Sequence, residues 1–564
     1  MLYIKIIGLH DGQIDSGACL FEDNVLLSAI NEERLTRKKL QFGFPRFSLR
    51  KVLEFSKDKK EPDRLIAAGI FTPPIFSRLF RFIQKLEDFH KPLDKPTYLK
   101  KVFSYLKFGL KVQSQNPASI SGKLLRPLVA FSLRKSLPQS LRKVPLIMVE
   151  HHLAHAASAY YTSGKSHTLS ITTDACGDGL SFTVNLCRNS EIKRIFSISA
   201  NSSYGLFYSD ITKRLGFRED FDEIKVTGLA AFGNPDKIDT PFPFRISYNP
   251  LNVVADKKLM KEAKREISNH SKRDVAAWLQ KNLEDQIITI IDYFIKKAHI
   301  KDVVLAGGCF ANVKLNQRIN ERCDIDSIYI FPHMGDGGLA VGALLSYLKP
   351  RPFKLGGIYY GPDVKDQEIK QVLDKSGLKY KKIKEIEKNL AKLLSKGRII
   401  ARFNGRMEFG PRALGNRSVL CETTNKKTAD LLNKRLKRTE FMPFAPVTLS
   451  KYASRCYKNT KTANYTSKFM TICFECTDYM KKTSPAVVHV DGTARPQILS
   501  KEDNPSFYKI LHEYNRITGI PSLINTSFNL HGEPIVCTPY DAINTFKQAK
   551  LDYLAISNYL VKND

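Results

Sequence analysis

Residues 168–199 read Thr168-Leu-Ser-Ile-Thr-Thr, then Asp174-Ala-Cys-Gly-Asp-Gly179, then Leu180-Ser-Phe-Thr-Val-Asn-Leu and, after a polar break, Ile192-Lys-Arg-Ile-Phe-Ser-Ile. Three runs rich in β-branched and aromatic residues are separated by Asp, Gly and Asn, which predicts strand, turn, strand, turn, strand. The pattern also stands at the N-terminus. Residues 2–9 read as a strand, a Gly/Asp turn follows, and then come Ala18-Cys-Leu-Phe, Asp23-Asn24 and Val25-Leu-Leu-Ser-Ala-Ile. Two such meanders predict a duplicated unit. Downstream, a helical tract at 274–298 leads into a strand, Asp302-Val-Val-Leu-Ala306, the turn Gly307-Gly308 and a helix from position 312 onward. Strand, glycine turn and helix form a geometry that lets backbone approach a nucleotide closely. A further strand, Ile328-Tyr-Ile-Phe, runs into Gly335-Asp-Gly-Gly338. Gly/Pro-rich text at 348–362 marks a boundary. The expected domains are 1–350 and 360–564, the second also α/β.

Duplicated three-strand units with Asp/Gly turns, each followed by helices, are the layout of actin-like (ASKHA) folds, whose turns wrap phosphates with backbone N–H groups. The chain has 564 residues, 43% hydrophobic and 26% charged, which excludes a disordered or fibrous protein. No apolar run reaches the length of a spanning helix. The N-terminus reads as a strand and not as a secretion signal, so the expected location is the cytoplasm, peripheral to the inner membrane face. Lys+Arg 89 against Asp+Glu 56 leaves +33, a field that attracts anions. Residues 78–143 hold 15 Lys/Arg against 3 Asp/Glu, interleaved with aromatic and aliphatic residues. They read as basic amphipathic helices inserted into the first domain, a surface for a polyanion or an anionic membrane. The ten cysteines form no framework, so reduced thiols are expected. Cys473-Phe-Glu-Cys476 reads as positions near a strand, because no second pair stands at zinc spacing.

Two groups of residues carry chemistry. Glu150-His151-His152-Leu-Ala-His155-Ala-Ala opens an alanine-rich helical stretch. His151 and His155 share a face and can grip one divalent metal, whereas His152 points elsewhere. Asp174 and Asp178 in the second meander and Asp336 in its Gly-Asp-Gly-Gly turn supply carboxylates. Two imidazoles and one carboxylate leave positions open for oxygen ligands. The second group is Gly405-Arg-Met-Glu-Phe-Gly-Pro-Arg-Ala-Leu-Gly-Asn-Arg417-Ser, with Arg406, Arg412 and Arg417. It is joined by Lys437-Arg438, Asp491-Gly-Thr-Ala-Arg495 and Asn525-Thr-Ser-Phe-Asn529. Arginines among Gly, Pro and hydroxyls read as an anion pocket.

These pieces, together with Gly8-Leu-His-Asp-Gly12, Asn31-Glu-Glu-Arg-Leu-Thr-Arg-Lys-Lys39, Gly43-Phe-Pro45 and Lys225-Val-Thr-Gly-Leu-Ala-Ala-Phe-Gly233, resemble the NodU/CmcH/TobZ family of O-carbamoyltransferases over nearly the whole chain. The resemblance implies an ASKHA-type first domain in which His151, His155 and Asp336 bind iron or another divalent metal. It implies that Lys39, Asp174, Lys225, Gly307, Gly308 and Asn312 face a bound carbamoyl-adenylate. The second domain is similar to YrdC. There carbamoyl phosphate and ATP, with Mg²⁺, give carbamoyl-adenylate and pyrophosphate. Arg412, Arg417, Lys437 and Arg438 are the phosphate candidates, and Arg495, Asn525 and Ser527 the candidates for carbamoyl phosphate. In the first domain an acceptor hydroxyl then takes the carbamoyl group and AMP leaves. His10 and Asp11, at the mouth of the first meander, could serve as the base.

Two departures from the family text stand out: Gln13 where many relatives carry histidine, and Met442 where many carry arginine. Expected partners are ATP, carbamoyl phosphate, a hydroxyl-bearing acceptor (sugar, natural product or modified nucleoside) and a second copy of the chain. Other readings are a tRNA threonylcarbamoyl-type enzyme, which the charge would suit, and a nucleic-acid- or membrane-binding protein without catalysis.

Overall fold

The structure, a computed structural model, describes residues 4–12, 14–58, 60–69, 120–438 and 444–563. Gln13, Met442 and most of the basic insert, residues 78–119, lie outside the described residues.

The first meander forms β1 (Lys5–His10), β2 (Gly17–Glu22) and β3 (Val25–Asn31), which continue into β4 (Arg64–Ala68) and β5 (Leu146–Val149). The second forms β6 (His167–Gly177), β7 (Leu180–Arg188) and β8 (Glu191–Ser199). A small antiparallel hairpin follows, β9 (Phe244–Ser247) with β10 (Asn252–Ala255), and then β11 (Asp302–Ala306) and β12 (Ser327–Ile330). The first sheet has the order β3-β2-β1-β4-β5 and the second β8-β7-β6-β11-β12. In each, an antiparallel meander is extended by two parallel strands beside its first strand. The duplication expected from the two meanders is therefore carried through all five strands. All residues of β1 and β2 are buried, as suits strands covered on both faces.

The helices His151–Tyr161 and Leu339–Leu348 pack against each other between the two sheets. Small residues allow this. A Cβ on Gly342 would stand 2.0 Å from the carbonyl oxygen of Ala154. The crossing brings His151 and His155 on one helix beside the Asp336 turn that leads into the other. Gly342→Ala is expected to cost about 1–3 kcal/mol through overpacking, read as a lower urea midpoint. An unchanged midpoint would mean that the helices can separate freely.

The third sheet takes its strands from 380–562. They are β13 (Tyr380–Lys382), β14 (Ile400–Phe403), β15 (Arg417–Glu422), β16 (Pro446–Leu449), β19 (Gln497–Leu499), β20 (Ser522–Ser527), β21 (Tyr553–Ile556) and β22 (Tyr559–Lys562), with β17 (Phe474–Glu475) and β18 (Thr493–Ala494) pairing separately. Its order is β13-β22-β21-β14-β15-β20-β16-β19, mixed parallel and antiparallel, and helices make the region α/β. Among the described residues no helix is long and apolar enough to cross a membrane, and the ten cysteines are free thiols.

Candidate active site

The helix His151–Tyr161 begins under two carboxylates. Glu150, extended at φ −64°, accepts hydrogen bonds from the N–H groups of His152 and Leu153. Asp178 accepts from the His151 N–H at 2.7 Å. Three amides that would otherwise be orphaned are satisfied by anions, the charge the helix start favours. His152 turns inward, bonded to Thr172 Oγ1 at 2.7 Å and to the Leu180 carbonyl at 3.1 Å. Burial holds it neutral, with its pKa lowered to about 3.

His151 and His155 point the other way, toward Asp174 and Asp336. One ligand atom from each of the four lies within 4.8 Å of all the others. His155 Nε2 is 3.0 Å from Asp174 Oδ2 and 3.6 Å from Asp336 Oδ1. His151 Nε2 is 3.5 Å from Asp174 Oδ2 and 3.6 Å from Asp336 Oδ1, and makes no hydrogen bond. The sequence placed Asp174 in the turn of the second meander. Instead β6 runs on to Gly177, and Asp174 sits in an irregularity where the register jumps from Thr173↔Phe182 to Gly177↔Leu180. Such a break re-aims a side chain. Here it turns Asp174 onto the histidines. Gly177 makes room, since a Cβ there would lie 2.2 Å from the His151 ring. The Gly307-Gly308 turn closes over the same carboxylate, with the Gly308 N–H donating to Asp174 Oδ2 at 3.2 Å.

The electrostatics favour a cation. Burial lowers the pKa of His151, but the Asp336 and Asp174 carboxylates outweigh it and raise the value to about 10. Burial pushes Asp174 up, and the two imidazoles more than reverse this, holding it well below the carboxylate range. Two carboxylates converge on two imidazoles, with an orphaned ring nitrogen aimed among them. This donor set fits a divalent metal with mixed N/O preference. His10 closes the cluster from the end of β1. It is buried, both ring nitrogens lack hydrogen bonds, and Nε2 is 3.8 Å from Asp336 Oδ2. Burial lowers its pKa to about 4 against the pull of Asp336. Asp11 follows it, also buried.

A cavity of about 300 Å³ lies between the first region and the C-terminal one. Asn312 and Lys314 line it from one side, and Asp491 and Arg495 from the other. Asn312 caps the helix Val313–Arg322 and exchanges amide hydrogen bonds with Gln280. Lys314 Nζ pairs with Asp491 Oδ2 at 2.7 Å across the cavity wall. Residue types alone did not single out Lys314 or Gln280, and Asp491 was read only as the start of the run that ends at Arg495. The signal available was position, two residues after Asn312 and four before Arg495.

The arginine motif divides into three tasks. Arg406 donates to the Leu27, Tyr360 and Gly361 carbonyls and ties the C-terminal region to β3. Arg417, a phosphate candidate, is fully buried. Its guanidinium donates to the carbonyls of Asn404, Gly405 and Asn416 and stacks 3.6 Å from the Phe403 ring centre. In this structure it braces the loop from inside. Arg417→Met is expected to cost about 3 kcal/mol or more by stranding those carbonyls, read in denaturant unfolding, and Arg417→Lys should not restore it. Arg412 is the third. Burial and the neighbouring charge of Arg495 hold its pKa well below the usual value, and its Nε has no hydrogen-bond partner.

The remaining candidates are dispersed around these centres. Arg438 donates to Thr526 Oγ1 and to Ser527 Oγ. Asn525 donates to the Ala413 carbonyl and Gln497 Oε1, leaving its own Oδ1 unbonded. Lys437 is exposed with φ +56°. Lys225 pairs with Asp222 at 3.1 Å, in the helix that edges the cavity. Lys39 is exposed beyond the first meander.

Family models described as Carbamoyltransferase N-terminus and Carbamoyltransferase C-terminus match residues 5–345 and 391–563. The chain is 32% identical over 574 residues to the uncharacterised protein MJ1051 of Methanocaldococcus jannaschii, covering 99% of each chain. It is 29% identical to the nodulation protein NolNO of Sinorhizobium fredii, covering 98% of this chain and 79% of that protein. Among solved structures it is similar to full-length HypF in its phosphate- and nucleotide-bound form. The identity is 15% and the TM-score 0.37, covering 61% of this chain and 55% of that one. The matched models span both halves of the molecule, and the chain belongs to the carbamoyltransferase family.

Proposed function

We propose that the protein is an ATP-dependent O-carbamoyltransferase with two centres. The observation that carries this reading is the cavity shared by Asn312 and Lys314 on one side and Arg495 on the other. Arg412 lies near enough to Arg495 to feel its charge, an arrangement suited to a polyphosphate or carbamoyl phosphate. In the C-terminal region, taken as YrdC-like, carbamoyl phosphate and water give carbamate and phosphate. A carbamate oxygen attacks the ATP α-phosphorus and Mg²⁺-bound pyrophosphate leaves. Arg412, Arg495 and Arg438 hold the phosphates, and Asn525 and Ser527 line the same face.

The carbamoyl-adenylate then meets an acceptor hydroxyl in the N-terminal region, within reach of the Gly307-Gly308 turn and Asn312, with Lys39 and Lys225 as outer cations. His151, His155, Asp174 and Asp336 would hold a divalent metal, iron by family resemblance. When bound, it supplies a Lewis acid for a substrate oxygen. His10, neutral and with both nitrogens unbonded, is placed to take the proton from the acceptor hydroxyl, with the buried Asp11 next to it in the chain. The C–O bond to the acceptor forms as the carbamoyl–phosphate bond breaks, and AMP departs.

The test is incubation with ATP, Mg²⁺ and carbamoyl phosphate, without acceptor. Pyrophosphate and carbamoyl-adenylate, found by mass spectrometry and dependent on carbamoyl phosphate, are the expected products. Pyrophosphate release that ignores carbamoyl phosphate would refute the reading.

A further inference from the structure

Helix Ile120–Ser136 is apolar on two opposite faces. Val129 and Leu133 are buried against Leu9, Leu65 and Ala67. On the outward side Ile120 is 81% exposed, Leu128 55% and Phe131 57%. At about 100° per residue these three fall within about 80° of one another. Single exposed apolar residues need no explanation, but three aligned on one helix do. Cations surround them. Lys135 Nζ lies 4.5 Å over the Phe131 ring. Arg142 donates back to the Leu137 and Lys135 carbonyls, and Arg134 to the Arg142 carbonyl, which gathers positive charge at the helix end. No Asp or Glu occurs between Asp94 and Glu150, while eleven Lys/Arg do.

We infer that this helix face docks on an anionic membrane surface, with Leu128, Phe131 and Ile120 among the acyl chains and the cations at the headgroups. The charge chooses the partner. A second copy meeting this face would set cation against cation. A nucleic acid would satisfy the cations and leave the three apolar side chains in water. Only a surface that is anionic outside and apolar beneath satisfies both.

The experiment uses the full chain and co-sedimentation with vesicles of phosphatidylcholine, alone or mixed with phosphatidylglycerol. Binding is expected to the mixed vesicles, to weaken in high salt, and to be absent with phosphatidylcholine alone. Leu128→Ser with Phe131→Ser should reduce the partition coefficient about tenfold or more, as should Lys135→Glu by itself. All variants should keep wild-type circular dichroism and carbamoyl-adenylate formation. Failure of the wild type to bind mixed vesicles would overturn the proposal. So would equal binding by the double variant. A lighter particle mass for the double variant in light scattering, without vesicles, would assign the face to a second copy instead. Retention on heparin lost in parallel with vesicle binding would assign it to a polyanion.

Discussion

Arg412→Ala is expected to slow carbamoyl-adenylate formation by about 10²–10³-fold while leaving the protein as stable as before or more so. The two halves of this expectation have one cause. Arg412 is half-buried, its Nε finds no acceptor, and burial together with the charge of Arg495 holds its pKa well below the usual value. The protein therefore bears the cost of holding Arg412 charged in this place, a cost that a bound anion would lower. Removing Arg412 lifts that cost and also removes a forked donor for a transferring phosphate. Ligand stabilisation separates the roles. Carbamoyl phosphate or pyrophosphate should raise the melting temperature of the wild type and do so far less for Arg412→Ala. Arg412→Lys keeps the charge and loses the fork, so it should recover anion stabilisation more than turnover. If Arg412→Ala unfolds early, the arginine is a brace like Arg417 and the phosphate assignment fails.

That contrast shows where sequence reading reaches its limit. Arg406, Arg412 and Arg417 share one motif, and their spacing gives no reason to separate them. What separates them is which carbonyls the fold brings near. Leu27 and Tyr360 meet Arg406, and Asn404 and Asn416 meet Arg417. The Arg406 contacts are long-range facts of packing, and the Arg417 contacts depend on how the loop folds back on itself. The two meanders, in contrast, were legible because alternation and Asp/Gly turns are local, and β11 runs over Asp302–Ala306 as its apolar run predicts. The parallel neighbours of β1 and β6 could not be read, because crossover pairing depends on the helices between. His151 and His155 were legible from i,i+4 spacing on an alanine-rich helix. Asp174 was placed in a turn because the glycines around it read as one. The strand continues through them, and the resulting irregularity swings the carboxylate toward His151 and His155. The basic insert was legible as charge and as amphipathic, yet which of its apolar side chains face outward, Leu128 and Phe131 among them, depends on the packing of its described helix.

Asp336→Asn is expected to abolish carbamoyl transfer to any acceptor while leaving acceptor-free pyrophosphate release intact, because the proposed mechanism puts the two chemistries at different centres. It should also lower the affinity for a divalent metal more than about a hundredfold, measured as metal content after dialysis. The pH dependence makes this more than a loss-of-function result. His151 has its pKa raised from 6.5 to about 10, Asp336 contributing most to the rise against the penalty of burial. In the metal-free protein this pairing contributes stability that is fully present below pH 6.5 and fades as pH rises through about 10. Between pH 7 and 9 a metal entering the cluster must displace that proton, so affinity should climb about tenfold per pH unit. His10, lowered to about 4, carries no proton to displace and adds nothing to the slope. In Asp336→Asn the main charge holding the His151 proton is gone, so the slope should flatten even where some binding remains. Calorimetry in two buffers of different ionisation enthalpy reads the same quantity directly, with about one proton released per ion in the wild type and fewer in the variant. An affinity that does not change between pH 7 and 9 would mean that no proton stands in the metal's way. The cluster of His151, His155, Asp174 and Asp336 would then not be the metal site.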